Sequence, residues 1–138
     1  MRADTDHRFM KVATVVAESA TCDRLHVGAV LVVDKHIVAT GYNGSMPGAP
    51  HCDDVGHLME ENHCRRTVHA ETNAVVQAAR HGTATDQATL YVTASPCWDC
   101  FKVIITAGIR RIVYGQAYRL DKKVVDHAAL LGVELTPL

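Results

Sequence analysis

His69, Glu71, Cys97 and Cys100 are the side chains whose types and spacing could do chemistry together. They come from two short segments, His69-Ala70-Glu71 and Ser95-Pro96-Cys97-Trp98-Asp99-Cys100. One imidazole and two thiols make three nitrogen or sulfur donors, one short of the four that a closed structural zinc site takes. A zinc ion held by His69, Cys97 and Cys100 keeps a fourth position for water and brings the pKa of that water close to neutrality. Glu71, two residues from a donor, would then move protons between the water and the group attacked. The competing reading is a redox dithiol at Cys97 and Cys100 with an ordinary helix-end histidine, because a C-x-x-C pair alone also serves structural zinc and thiol exchange. The proline before the pair and the His-x-Glu upstream have to agree independently, which favours the catalytic metal.

The elements that must position these residues follow from hydrophobic spacing. Phe9, Val12, Ala13, Val16, Ala17 and Ala20 recur at three- and four-residue steps and predict a helix over 6–20. The apolar run from Val27 to Val33 suits a strand buried on both faces. Asp34-Lys35 turns it into Ile37-Val38-Ala39-Thr40, a hairpin that Gly41-Tyr42-Asn43-Gly44 ends. The stretch from Ser45 to about Arg66 has no period and is too long for a plain connection, so it is expected to be functional or pinned by a metal. Helical spacing returns from Val68 to Arg80, with Gly82 as its stop and His69 and Glu71 in its first turn. Ala88–Ala94 reads as a strand, and Pro96 opens a helix whose first turn carries Cys97 and Cys100 on one face. A helix N-terminus also favours thiolate over thiol, as a zinc ligand requires. A strand over 110–115, a helix over 122–131 and a short strand at 133–135 imply a closing parallel crossover. The expected architecture is a three-layer α/β/α sandwich around a five-stranded mixed sheet, with two helix N-termini meeting at the metal.

Composition narrows the function classes. The 138 residues, 48% hydrophobic and 21% charged, fit one globular domain over 1–138. A formal charge of −1 argues against a nucleic-acid partner held through many phosphates. The charged start, Met1-Arg2-Ala3-Asp4-Thr5-Asp6, has no apolar signal region behind it, and no run reaches the length of a membrane span. Five cysteines, an odd number, point to reduced thiols and metal ligands in a cytoplasmic protein.

The His-Ala-Glu and Pro-Cys-Trp-Asp-Cys motifs carry the signature of the zinc-dependent nucleobase deaminases. Nearly the whole chain resembles the cytidine deaminase superfamily. Thr21-Cys22-Asp23-Arg24, Val27-Gly28-Ala29-Val30, Gly41-Tyr42-Asn43-Gly44, Pro50-His51-Cys52, Lys102–Ile105 with Gly108-Ile109, and Tyr114 with Tyr118 place the resemblance in its deoxycytidylate (dCMP) deaminase branch. It implies hydrolysis of dCMP to dUMP and ammonia, with Glu71 protonating N3 and then the leaving amine. Asn43 would contact the sugar, and the backbone at Ala70 and Ser95 would read the base edge. Arg24 and Tyr118 are matched to the phosphate, against a surface salt bridge and plain packing. Gly41-Tyr42-Asn43-Gly44 would line a regulatory site for dCTP and dTTP, against a simple tight turn, and the assembly would be a hexamer. A tRNA adenosine deaminase would be expected to carry a basic surface. A nucleoside cytidine deaminase commonly has cysteine in place of His69.

Cys22, Cys52 and Cys64 remain unassigned, with His51, His57 and His63 close by in sequence. A metal there would close the aperiodic stretch. The resemblance matches Cys22 and His51 to an extra structural zinc found in some dCMP deaminases. Thr67 stands where those members have a further ligand, which Cys64 could replace. The plain alternative is a set of reduced thiols.

Overall fold

The computed structural model describes residues 4–138, so the charged start at Met1–Ala3 lies outside it. Helix α1, Thr5–Ala17, opens on Asp4, whose carboxylate accepts the Asp6 N–H at 3.2 Å. It stops three residues short of Ala20, where Ser19 and Ala20 switch to i→i−3 bonds onto Val16 and Ala17. Strands β1 (Gly28–Val33) and β2 (His36–Tyr42) form the expected hairpin. Its two-residue turn puts Asp34 and Lys35 both at positive φ, 49° and 65°, matching the twist of the flanking strands.

The 45–66 stretch holds more order than its sequence shows. A single helical turn, α2 (Cys52–Val55), is followed by a two-stranded ribbon of β3 (Met59–Glu60) and β4 (His63–Cys64). Its tip, Glu61 and Asn62, repeats the positive-φ pair. Then come α3 (Ala70–Arg80), β5 (Thr89–Ala94), α4 (Trp98–Thr106), β6 (Arg111–Gln116), α5 (Lys122–Leu131) and β7 (Glu134–Pro137). The five-stranded sheet has the order β2-β1-β5-β6-β7. The β1–β2 and β1–β5 pairs are antiparallel, and β5–β6 and β6–β7 are parallel. The sheet is therefore mixed, as expected, and both parallel steps run through a helix.

The apolar runs are buried on both faces because both faces are covered. Val30, Val32, Tyr91 and Val113 meet Phe9 and Ala13 of α1. The alternate residues Ala29, Leu31, Leu90, Val92, Ile112 and Tyr114 pack with Ala74 and Ala78 of α3, Phe101 and Ile104 of α4, and Val124 and Ala128 of α5. Period-2 alternation thus divides one strand between two cores. The result is the three-layer α/β/α arrangement, with α1 on one side and α3, α4 and α5 on the other. Among the described residues no helix is long and apolar enough to cross a membrane.

Candidate active site

Two helix N-termini meet beyond the C-terminal end of the central strand β5, and two of the three donors sit on the caps. His69 is the N-cap of α3 and Cys97 the N-cap of α4, each in extended backbone. Helical spacing predicts both in the first helical turn. The one-residue difference matters because a cap residue points its side chain outward, ahead of the helix, where two caps can face each other. Glu71 and Cys100 do lie in the first turns.

Cys100 Sγ is 3.3 Å and Cys97 Sγ 3.6 Å from His69 Nδ1. Zinc bonds of about 2.3 Å to sulfur and about 2.0–2.1 Å to nitrogen, at tetrahedral angles, put those atoms roughly 3.6 Å apart. The donor set therefore fits zinc. Thr72 Oγ1 donates to Cys100 Sγ at 3.2 Å, an outer bond of the kind that orients a ligating thiolate. The thiols are strongly coupled. Hydrogen bonding with Cys100, then with His69, pulls Cys97 down to about 4, while the contact with Cys97 and burial push Cys100 up.

Glu71 is only 5% exposed, with Oε1 3.9 Å from His69 Nδ1. Burial raises its carboxyl above the ordinary carboxylate range. His69 is raised as well, first by the hydrogen bond to Cys97 and then, against its burial, by the Glu71 charge.

The residues around this centre are held by one another. Gly44 and Val68 exchange backbone hydrogen bonds at 3.3 and 2.8 Å, strapping the Gly41–Gly44 segment beside His69. Asn73 Nδ2 donates to the Tyr42 carbonyl at 3.0 Å. A Cβ on Gly41 would stand 2.3 Å from the Ala70 carbonyl and 2.4 Å from the Ala74 nitrogen, so this glycine lets β2 touch the first turn of α3. Only Tyr42 of the four residues turns outward, 37% exposed. Asn43 is buried and works on the backbone. Its Oδ1 accepts the Val27 N–H and its Nδ2 donates to the Leu25 carbonyl, both at 2.7 Å. Its second amide hydrogen takes no part in either bond. Ala70 is buried at the start of α3. Ser95 Oγ accepts the Tyr118 N–H at 2.9 Å and donates to the Tyr118 carbonyl at 3.2 Å, tying the loop after β6 to the cysteine loop.

That loop carries a residue that sequence reasoning missed. Arg119 donates to His63 Nδ1 at 3.0 Å and lies 5.2 Å over the Tyr118 ring. Arg24, exposed, reaches the Asn62 carbonyl at 3.4 Å. Both guanidiniums are thus held by the β3–β4 tip. Nothing in the spacing of residues 24, 63 and 119 marks them as neighbours.

A second donor set lies behind the same ribbon. Cys22, Cys52, His57 and Cys64 offer four atoms within 4.8 Å of one another. Cys22 Sγ is 3.4 Å from His57 Nδ1, and the Cys52 and Cys64 sulfurs are 3.5 Å apart. His57 Nε2 contacts the Asp23 carboxylate at 2.9 Å, the outer partner that ligating histidines usually have. Against its burial, backbone N–H groups of Arg66 and Leu58 bring Cys64 down to about 6. The set corrects one expectation: His51 is not in it. The His51 ring turns instead to Thr21 Oγ1 at 2.9 Å, because as the residue before α2 it faces away from the turn that carries Cys52. His57, six residues on, fills the place. Cys22 and Cys64 do belong to the set, and Cys52 joins them.

Over residues 3–116 the chain matches the family described as cytidine and deoxycytidylate deaminase zinc-binding region. The chain belongs to this deaminase family. ComE operon protein 2 of Bacillus subtilis (strain 168) is 47% identical over 118 residues, covering 86% of this chain and 62% of that protein. The deoxycytidylate deaminase of Saccharomyces cerevisiae is 37% identical over 141 residues, covering 94% of this chain and 44% of that one. The chain therefore spans less than two thirds of the length of either curated relative. The dCMP deaminase of cyanophage S-TIM5, solved in complex with dCMP and dUMP, aligns with a TM-score of 0.86 at 31% identity, covering 100% of this chain and 99% of that one. The matched residues span both donor sets, and the cytidine deaminase-like fold is shared with the cyanophage enzyme.

Proposed function

We propose that this chain is a zinc-dependent deaminase domain that converts dCMP and water to dUMP and ammonia. The observation that carries the reading is Glu71, a buried acid 3.9 Å from His69 beside three soft donors that leave one tetrahedral position open. A closed structural site has no use for such a carboxylate. The cyanophage enzyme solved with dCMP and dUMP supports the choice of substrate.

His69, Cys97 and Cys100 would hold zinc, which when bound supplies Lewis acidity and a water acidified toward neutral pH. The chain's own work is proton movement and placement. Glu71, its carboxyl raised by burial, takes one proton from the water and passes it to N3 as the oxygen bonds to C4. It then takes the second proton from the C4 hydroxyl and gives it to the amine as the C4–N bond breaks and C4=O forms. Backbone groups at Ala70 and Ser95 read the base edge, the Ser95 hydroxyl being already engaged by Tyr118. Asn43 offers its remaining N–H to the sugar. Arg24 and Tyr118, with Arg119 and His63 beside them, meet the 5′-phosphate. A guanidinium matches a phosphate edge and stays charged at any working pH.

The same reading extends to a second, structural zinc on Cys22, Cys52, His57 and Cys64. It extends also to a homohexamer in the cytoplasm, where five free thiols suit a reducing compartment. dCTP would activate and dTTP inhibit through Gly41–Gly44, with Tyr42 the side chain open to an effector. Ammonia release from dCMP, dCTP, deoxycytidine and adenosine tests the substrate. Two charge-assisted contacts to phosphate, at about 1.5 kcal/mol each, favour dCMP over deoxycytidine by roughly 100-fold in kcat/KM. Equal rates on the two, or ammonia from adenosine alone, would refute the assignment.

A further inference from the structure

The β3–β4 ribbon should not hold its own shape. Each strand is two residues long, and even a full isolated hairpin is marginal in water. Its apolar residues do not bury it, since Leu58 and Met59 are 49% and 42% exposed. Yet this ribbon holds both guanidiniums assigned to the phosphate, Arg24 through the Asn62 carbonyl and Arg119 through His63. The second donor set joins the ribbon to the rest of the fold through Cys64. Cys64 lies on β4 next to His63, and Cys22 lies two residues before Arg24. Four donors drawn from positions 22, 52, 57 and 64 bring the α1–β1 loop and the 52–64 segment onto one point, and Asp23 fixes the His57 ring from outside at 2.9 Å.

We propose that the Cys22, Cys52, His57 and Cys64 site is a positioning site for phosphate recognition: a divalent metal there sets the ribbon, and the ribbon sets Arg24 and Arg119. It makes preference for the nucleotide over the nucleoside depend on an ion that touches neither substrate nor reacting atoms. The proposal rests on the dCMP reading above and on the second metal. The cysteines would act through His63 and Asn62, with no part in the chemistry at His69, Cys97, Cys100 and Glu71.

The test is binding of the product dUMP and of deoxyuridine, by calorimetry, alongside zinc per chain. Wild-type protein should hold two zinc ions and bind dUMP more tightly than deoxyuridine. Cys64→Ser should fall to one zinc, and its dUMP-to-deoxyuridine preference should shrink at least tenfold. Should Cys64→Ser fail to fold, Asp23→Asn and wild-type protein titrated with a chelator give the same readout, the preference falling in step with loss of the second zinc. A wild-type chain with one zinc overturns the proposal, as does a variant or chelated protein that loses the second zinc and keeps its preference. A wild-type chain without any preference for dUMP overturns the dCMP reading itself, and this proposal with it.

Discussion

Asn43 joins two backbone groups across the turn into β1, and this structural work has a measurable cost. Asn43→Ala leaves the Val27 N–H and the Leu25 carbonyl unpaired beneath a buried residue. At about 1 kcal/mol or more for each orphaned group, the variant should lose about 2–3 kcal/mol. Thermal unfolding should drop by roughly 6–12 °C. An unchanged midpoint would mean that water replaces the amide. Resemblance alone pointed to the sugar for this residue, because a motif match says nothing of how many hydrogen bonds the fold has already taken. His69, Glu71, Cys97 and Cys100 were legible because their pairs sit two and three residues apart on helix starts, where sequence spacing is spatial spacing. Cys22, Cys52, His57 and Cys64 were not legible as a set. Three of these came up as leftover cysteines, but which histidine faces them is decided by the path of an aperiodic stretch.

At the level of elements, Gly41 and Asp6 each hold a helix to the sheet. A Cβ at Gly41 would drive into the backbone of the first turn of α3, so Gly41→Ala must push that turn, with His69 and Glu71, off the strand. The expected outcome is a loss of about 1–3 kcal/mol with a parallel fall in activity, read by chemical denaturation and turnover on one preparation. Asp6 ties α1 to the other face. Its carboxylate takes Arg111 through Nη1 at 2.8 Å and Nη2 at 2.7 Å, and the Tyr91 hydroxyl at 2.7 Å. Arg111 also pairs with Glu134 at the sheet edge. The Arg111 hydrogen bond, outweighing burial, lowers Asp6 from 3.8 to about 2. A carboxylate depressed in the folded state contributes stability that is complete above its unfolded pKa and is lost as pH falls through the folded one. After allowance for its partial exposure this is worth about 1–2 kcal/mol. Stability should therefore decline between about pH 4 and pH 2, and Asp6→Asn should flatten that decline; identical slopes would remove the pair from the account. The helices and strands were largely legible, since their periods of 3.6 and 2 repeat over enough residues to be read. The β3–β4 ribbon was not, because two-residue strands have no period.

For the molecule as a whole, net charge says nothing of where charges gather. A formal −1 describes the average surface, while Arg24, His63 and Arg119 are gathered on one ribbon by the fold. The mixed sheet was legible from element order, because a hairpin gives an antiparallel pair and each later strand returns through a helix. At the centre of the molecule's chemistry, Glu71 moves protons and does not hold the metal. The most direct test is Glu71→Gln, with zinc content and dCMP turnover measured on the same sample. Glutamine keeps the size and burial but accepts no proton, so zinc per chain should match wild type while kcat falls by at least about 10²–10⁴-fold. Zinc lost in step with activity would make Glu71 a ligand, and turnover near the wild-type rate would remove it from the mechanism; either result contradicts the account.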